Sequence, residues 1–155
     1  MDVGGIITST GEKVYCVTDD INGIKNSELI TIQDNEANLT VIDEEKIALS
    51  VWAPNMYLIY IGGGNGLFKI TNNKTEKINY NDNGYVGKIR GNGSNDFFIT
   101  GGFGLAAHFN GMRWEVYDNV SLSAGNYNSV SMKGNMVVLV GDNYGKAVIA
   151  LGRRD

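Results

Sequence analysis

Apolar and polar residues alternate with a period of two along most of this chain, in short runs broken by Gly, Asn and Asp. That is the pattern of half-buried β-strands joined by tight turns. The stretch from Lys88 to Val120 shows it most plainly, with strands closing at Arg90, then Asp96–Thr100, Leu105–Phe109 and Arg113–Tyr117. The rest of the chain repeats the motif. Strands are predicted at Gly4–Thr10, Lys13–Thr18, Glu28–Ile32 and Asn38–Ile42, then at Lys46–Trp52, Met56–Ile61, Leu67–Ile70 and Lys74–Ile78. A third set opens at Tyr85–Arg90, and a last set holds Asn128–Met132, Met136–Val140 and Lys146–Leu151. Turns are expected at Ala53-Pro54-Asn55 and through the whole of Gly62–Gly66. No long segment combines helical spacing with a cap.

A glycine precedes each third strand and sets a period: Gly23 to Gly66 is 43 positions, Gly66 to Gly104 is 38, and Gly104 to Gly145 is 41. Units near 40 residues, each a four-strand meander, are the sequence form of a propeller blade. One meander buries a single face and is marginal alone, so such units need each other. The expected fold is therefore all-β, a β-propeller of four antiparallel blades. The blades span about 4–43, 46–79, 85–120 and 128–155, with three strands in the last. Either a small ring or an arc of a larger one fits that count. An arc leaves two apolar blade faces open, which invites self-association, two copies closing an eight-bladed ring.

Composition agrees with a single globular domain: 155 residues, 43 % hydrophobic, 19 % charged. The 21 glycines and one proline speak for turns rather than helices. A net charge of −4, without a run of Lys and Arg, argues against a nucleic-acid partner. Cys16 is the only cysteine, so no internal disulfide forms; it shares a strand face with Val14 and reads as an inert thiol. Met1–Gly11 lacks a signal peptide's basic start and apolar run, and no segment has the ~18 apolar residues of a membrane span.

Candidate chemistry is sparse. His108 is the only histidine, which leaves no His-rich metal site and makes a structural role the expectation. Asp20 and Asn22, ahead of Gly23, resemble positions three and five of a calcium loop. Position twelve is Leu29, where a bidentate Glu is needed, so an Asx turn is the better reading. Gly62–Gly66 lacks the Lys-Ser/Thr of a phosphate loop. Asp43-Glu44-Glu45 and Asp34 with Glu36 read as solvated loop charge. No cofactor is implied, and no acid, base and nucleophile set is visible. Trp52, Trp114, Tyr85, Tyr117 and Tyr144 lie near strand ends and turns, where they could stack on sugars, anchor a protein partner or close the gaps between blades.

Several residues carry a family resemblance: Ile89-Arg90-Gly91, Asp96-Phe97-Phe98-Ile99-Thr100-Gly101, Gly104, His108-Phe109-Asn110-Gly111 and Trp114. Val51–Asn55, Gly63–Ile70, Gly141-Asp142-Asn143 and Gly145 continue it. Together they resemble bacterial propeller repeats of the form W-G-s-s-x-x-D-v-[FY]-a-v-G-x-x-G-x-I-x-H-Y-[DN]-G-x-x-W, and the sensor propellers of two-component regulators. The resemblance implies a non-catalytic binding or scaffold module for a protein or glycan, without membrane insertion. Its other members imply two alternatives: an accessory or fragment domain of an exported glycan-acting enzyme, or the sensor propeller of a signalling receptor. It also implies export, periplasmic or extracellular, for the parent protein.

Overall fold

The computed structural model describes residues 6–10, 12–18, 27–43, 48–80 and 84–154. Every extended segment in it is β, and no α-helix occurs among the described residues. Four antiparallel sheets follow one another along the chain. The first holds β1 (Ile6–Thr10), β2 (Lys13–Thr18), β3 (Ser27–Gln33) and β4 (Glu36–Asp43). The second holds β5 (Ala48–Asn55), β6 (Leu58–Gly63), β7 (Gly66–Thr71) and β8 (Lys74–Ile78). The third holds β9 (Val86–Gly93), β10 (Asp96–Gly101), β11 (Ala106–Phe109) and β12 (Trp114–Val116). The fourth has three strands, β13 (Gly125–Lys133), β14 (Met136–Asn143) and β15 (Lys146–Arg153). Within each sheet the spatial order is the chain order. A 3-10 turn, Asp118–Val120, joins the last two sheets.

Turn chemistry explains the meanders. Asp34-Asn35 and Asn72-Asn73 both sit at positive φ (52°, 62° and 50°, 60°), the two central residues of hairpin turns whose twist matches the strands. The glycines that set the sequence period all take positive φ where described: Gly66, Gly104 and Gly145 have φ of 104°, 72° and 73°. A side chain is strained at positive φ, which calls for glycine at all three places, although Gly66 pairs with Gly63 beyond its turn and Gly145 lies within one.

Two predicted turns prove shorter. β5 runs on through Ala53 and Pro54 to Asn55, and its pairing with β6 slips between Trp52 and Asn55. Pro54 has no N–H to donate, and the irregularity is where a strand tolerates that. The turn moves to Met56-Tyr57, where Asn55 Oδ1 accepts the Tyr57 N–H at 3.0 Å. Likewise β6 and β7 stay paired to Gly63↔Gly66, leaving only Gly64-Asn65 as the turn. Gly62 is a strand glycine for a packing reason: a Cβ there would lie 2.6 Å from Val86 Cγ1 and 2.7 Å from the Val86 carbonyl.

Successive sheets pack through their first strands. β1 and β2 lie on β5, β5 and β6 on β9, and β9 and β10 on β13. No comparable contact joins β1 to β13 among the described residues. Each junction buries an apolar layer. Tyr15, Val17 and Leu29 meet Val51, Ile61 and Phe68; Trp52, Tyr60 and Leu67 meet Ile89, Phe97 and Ile99; Phe98 and Ala106 meet Tyr127, Val130 and Leu139. Buried hydroxyls fasten neighbouring sheets: Ser27 Oγ accepts the Ala48 N–H at 2.9 Å and Ser50 Oγ the Ile89 N–H at 3.2 Å.

Candidate functional site

The layer between the third and fourth sheets is incomplete. Register makes the sheets comparable: Ile99 pairs with Ala107 in one, Leu139 with Ala150 in the other. Phe97 and its partner Phe109 then correspond to Val137 and its partner Gly152. In the third sheet β12 adds Trp114 opposite Phe109. The fourth has no described strand beyond β15. Small residues and an unpaired edge leave a cleft of about 320 Å³.

Its wall on the third sheet is aromatic. The His108 ring stacks on Phe98 (centroids 4.7 Å apart, 16° between planes), and Phe98 stacks on Tyr117 (5.7 Å, 18°). These side chains share a face because Phe98 and His108 are direct cross-strand partners. The opposite wall is aliphatic, from Met132, Val137, Leu139 and Ala150.

A polar clamp closes one end. Asp96 accepts both Arg154 nitrogens, Nη1 on Oδ1 at 3.0 Å and Nη2 on Oδ2 at 2.8 Å, the two-pronged geometry that favours Arg over Lys. His108 Nε2 donates to Asp96 Oδ1 at 2.8 Å, and Asn92 Nδ2 donates to Oδ2 at 2.8 Å. Asn92 also brackets the β13–β14 turn, donating to the Gly134 carbonyl at 2.8 Å and accepting the Gly134 N–H at 3.1 Å. Burial pushes the Asp96 carboxyl up, but the donors Asn92, His108 and Arg154 outweigh it and hold it below its ordinary value. Burial raises the Tyr117 phenol, with Glu115 adding to the effect.

β15 presents its outer edge beside this cleft. The Arg154 N–H donates to the Asn135 carbonyl at 2.9 Å. By antiparallel alternation the backbone groups of Ala147, Ile149, Leu151 and Arg153 then point away from β14. A second hollow, beside Gly64, Asn65 and Lys77, is backed by the Tyr80 ring.

Of the aromatics singled out in the sequence, only Tyr117 lines the cleft. Trp52 is buried in the layer between the second and third sheets, against Tyr60 and Phe97. Trp114 packs edge-on to Phe97 in the same layer. Tyr85 is half-buried along Gly101 and Gly102, whose added Cβ atoms would strike it. Tyr144 is exposed at the β14–β15 turn. Asp20 and Asn22, like Asp19, Glu44 and Glu45, lie outside the described residues. Among the described residues no group of three or more His, Cys, Asp or Glu could hold a metal, and no helix is long and apolar enough to cross a membrane. Gly62–Gly66 leads into a strand, so no helix N-terminus faces it.

Sequence reasoning set His108 aside as structural and missed Phe98 and Arg154. The signal for the first pair was the β10–β11 hairpin, which places Asp96, Phe98 and His108 on one face. Arg154 lies 58 positions from Asp96, beyond any local pattern. No family model matches the chain, and no curated protein matches it.

Proposed function

We propose that this chain is a non-catalytic binding module whose four sheets are blades of a β-propeller arc, and that it takes an extended protein segment in the cleft between the third and fourth sheets. Sequential packing of first strands, with no comparable contact between β1 and β13 among the described residues, supports the arc. The observation that carries the binding reading is the cleft itself: an aromatic wall of Phe98, His108 and Tyr117 facing aliphatic side chains, next to an unpaired strand edge. A segment added on β15 would gain main-chain hydrogen bonds from the edge and specificity from a side chain in the cleft. The third sheet supplies its own template, since β12 lies on β11 and presents Trp114 at the corresponding place. The lining holds no serine, threonine or cysteine that could act as a nucleophile, and Asp96 is committed to three donors. A protein segment fits better than a glycan because Met132, Val137, Leu139 and Ala150 offer sugar hydroxyls no partners.

A synthetic peptide with the sequence of residues 111–118 is the probe. Titrated into the isotope-labelled chain, it should shift the amides of Ile149, Leu151 and Tyr117 saturably, and its Trp→Ala version should not. Loss of the shifts in Tyr117→Ala supports the same site. No saturable shift at millimolar peptide, or binding only by methyl glycosides, overturns the proposal.

A further inference from the structure

We infer that two copies of this chain pair head to tail, the outer face of the fourth sheet of each on the outer face of the first sheet of the other. Closure at two chains rests on the propeller reading above; the pairing of faces does not.

Register identifies what each open face is. In the second sheet Gly62 pairs with Leu67, and in the third Thr100 pairs with Ala106; both pairs are buried against the following sheet. The corresponding pair in the fourth sheet is Val140 and Ile149, and Ile149 is 70 % exposed. Leu151, opposite Val138, is 73 % exposed on the same face. The fourth sheet thus carries the kind of face that its predecessors bury on a next sheet.

The first sheet carries the converse. In the second sheet Ile61 pairs with Phe68 and Ile59 with Ile70, all four buried against the first sheet. The matching pairs in the first sheet are Cys16 with Ile30 and Val14 with Ile32, and β4 adds Leu39 opposite Ile30. Leu39 is 58 % exposed. Two different apolar faces, one of each kind, define a heterologous contact rather than a self-complementary one.

Charge favours the same pairing. The described side chains of the first sheet include Glu12, Glu28, Asp34 and Glu36 against Lys13, whereas residues 125–153 hold three cations against Asp142 alone. Sheets of opposite net charge thus meet head to tail, whereas like sheets repel.

Light scattering over micromolar to submillimolar concentrations tests this. The expected species is twice 16.8 kDa, weakening in high salt. Leu39→Asp and Ile149→Asp, both at exposed sites, should each give monomers with unchanged circular dichroism. Mixed in equal amounts they should regain a two-chain species, because each still brings one intact face. A 16.8 kDa monomer throughout overturns the pairing and leaves the propeller reading standing. Dimers that survive Leu39→Asp also overturn it, since they mean like faces joined. A ladder of species beyond two keeps the pairing of faces but overturns closure, and with it the propeller reading.

Discussion

The layer between the second and third sheets and the layer between the third and fourth are built on the same register, yet one is closed and the other open. In the closed layer Phe97 touches the rings of Trp52, Tyr60, Phe109 and Trp114, with centroids 4.6 to 5.5 Å apart. In the open layer the equivalent positions are Val137 and Gly152, with no described fourth strand to bring a tryptophan. Aromatic volume in one place and its lack in the other turn a core into a cleft. The open layer is then held at its edge by a polar clamp rather than by packing. The cleft lies where no fourth strand is described.

The largest expected effect breaks the closed layer. Phe97→Ala should cost about 3–5 kcal/mol, because neighbouring rings cannot collapse into the space. Val137→Ala at the equivalent place should cost about 1.5 kcal/mol, the worth of two methyl-sized groups beside an existing cavity. Urea unfolding of both variants checks the contrast, and equal losses would mean the two layers are packed alike.

The glycines sharpen the comparison. Gly62→Ala drives a methyl into Val86, including its backbone carbonyl, and should cost about 1–3 kcal/mol by overpacking. A Cβ at Gly152 meets only Val137 Cγ1, at 2.7 Å, a side chain with room to turn toward the cleft. Gly152→Ala should therefore cost less than about 1 kcal/mol, within the range of ordinary surface changes. Thermal unfolding of the pair distinguishes the two environments.

The clamp should respond to acid. Asp96 is held below its ordinary pKa, so the folded state gains from its ionised form. That stability is present in full above the unfolded carboxylate value, about 3.9, and is lost as pH falls through the depressed folded value. Asp96→Asn should cost about 1–2 kcal/mol at pH 7, on the scale of hydrogen bonds to a charged group. The deficit relative to wild type should shrink toward zero as pH falls through that depressed folded value. A deficit that does not depend on pH would show that the clamp is packing and not charge.

Much of this fold was legible because alternation and turn chemistry are local. The order of the strands, their antiparallel pairing and the three-stranded last sheet all follow from apolar periodicity punctuated by Gly, Asn and Asp. Strand ends were harder where glycine or proline serves packing rather than turning, as at Pro54 and Gly62. The site was the least legible part. Alternation says that Trp52 and Tyr117 each take one face of a strand, but not which face another sheet covers. That is decided by residues tens of positions away, such as Ala150 and Arg154. A cleft formed by small residues leaves no mark of its own in a sequence.

The smallest expected effect concerns the turn that closes the fourth sheet. Tyr144 has φ of 50°, the same as Asn72 in the β7–β8 turn, but carries an exposed ring on a backbone that suits Asn or Gly. Asn-Gly is the preferred pair for this turn, and Gly145 already occupies the second place at φ 73°. Tyr144→Asn should therefore stabilise the chain by about 0.5–1 kcal/mol, the relief of a left-handed backbone strain. A rise in melting temperature with unchanged binding of the 111–118 peptide would place Tyr144 outside the cleft's work. A rise in melting temperature with weaker binding would mean that the strain is held in place by a contact the partner makes. The cleft would then extend along β15 to this turn, and the open layer would be a binding surface over the full length of its edge.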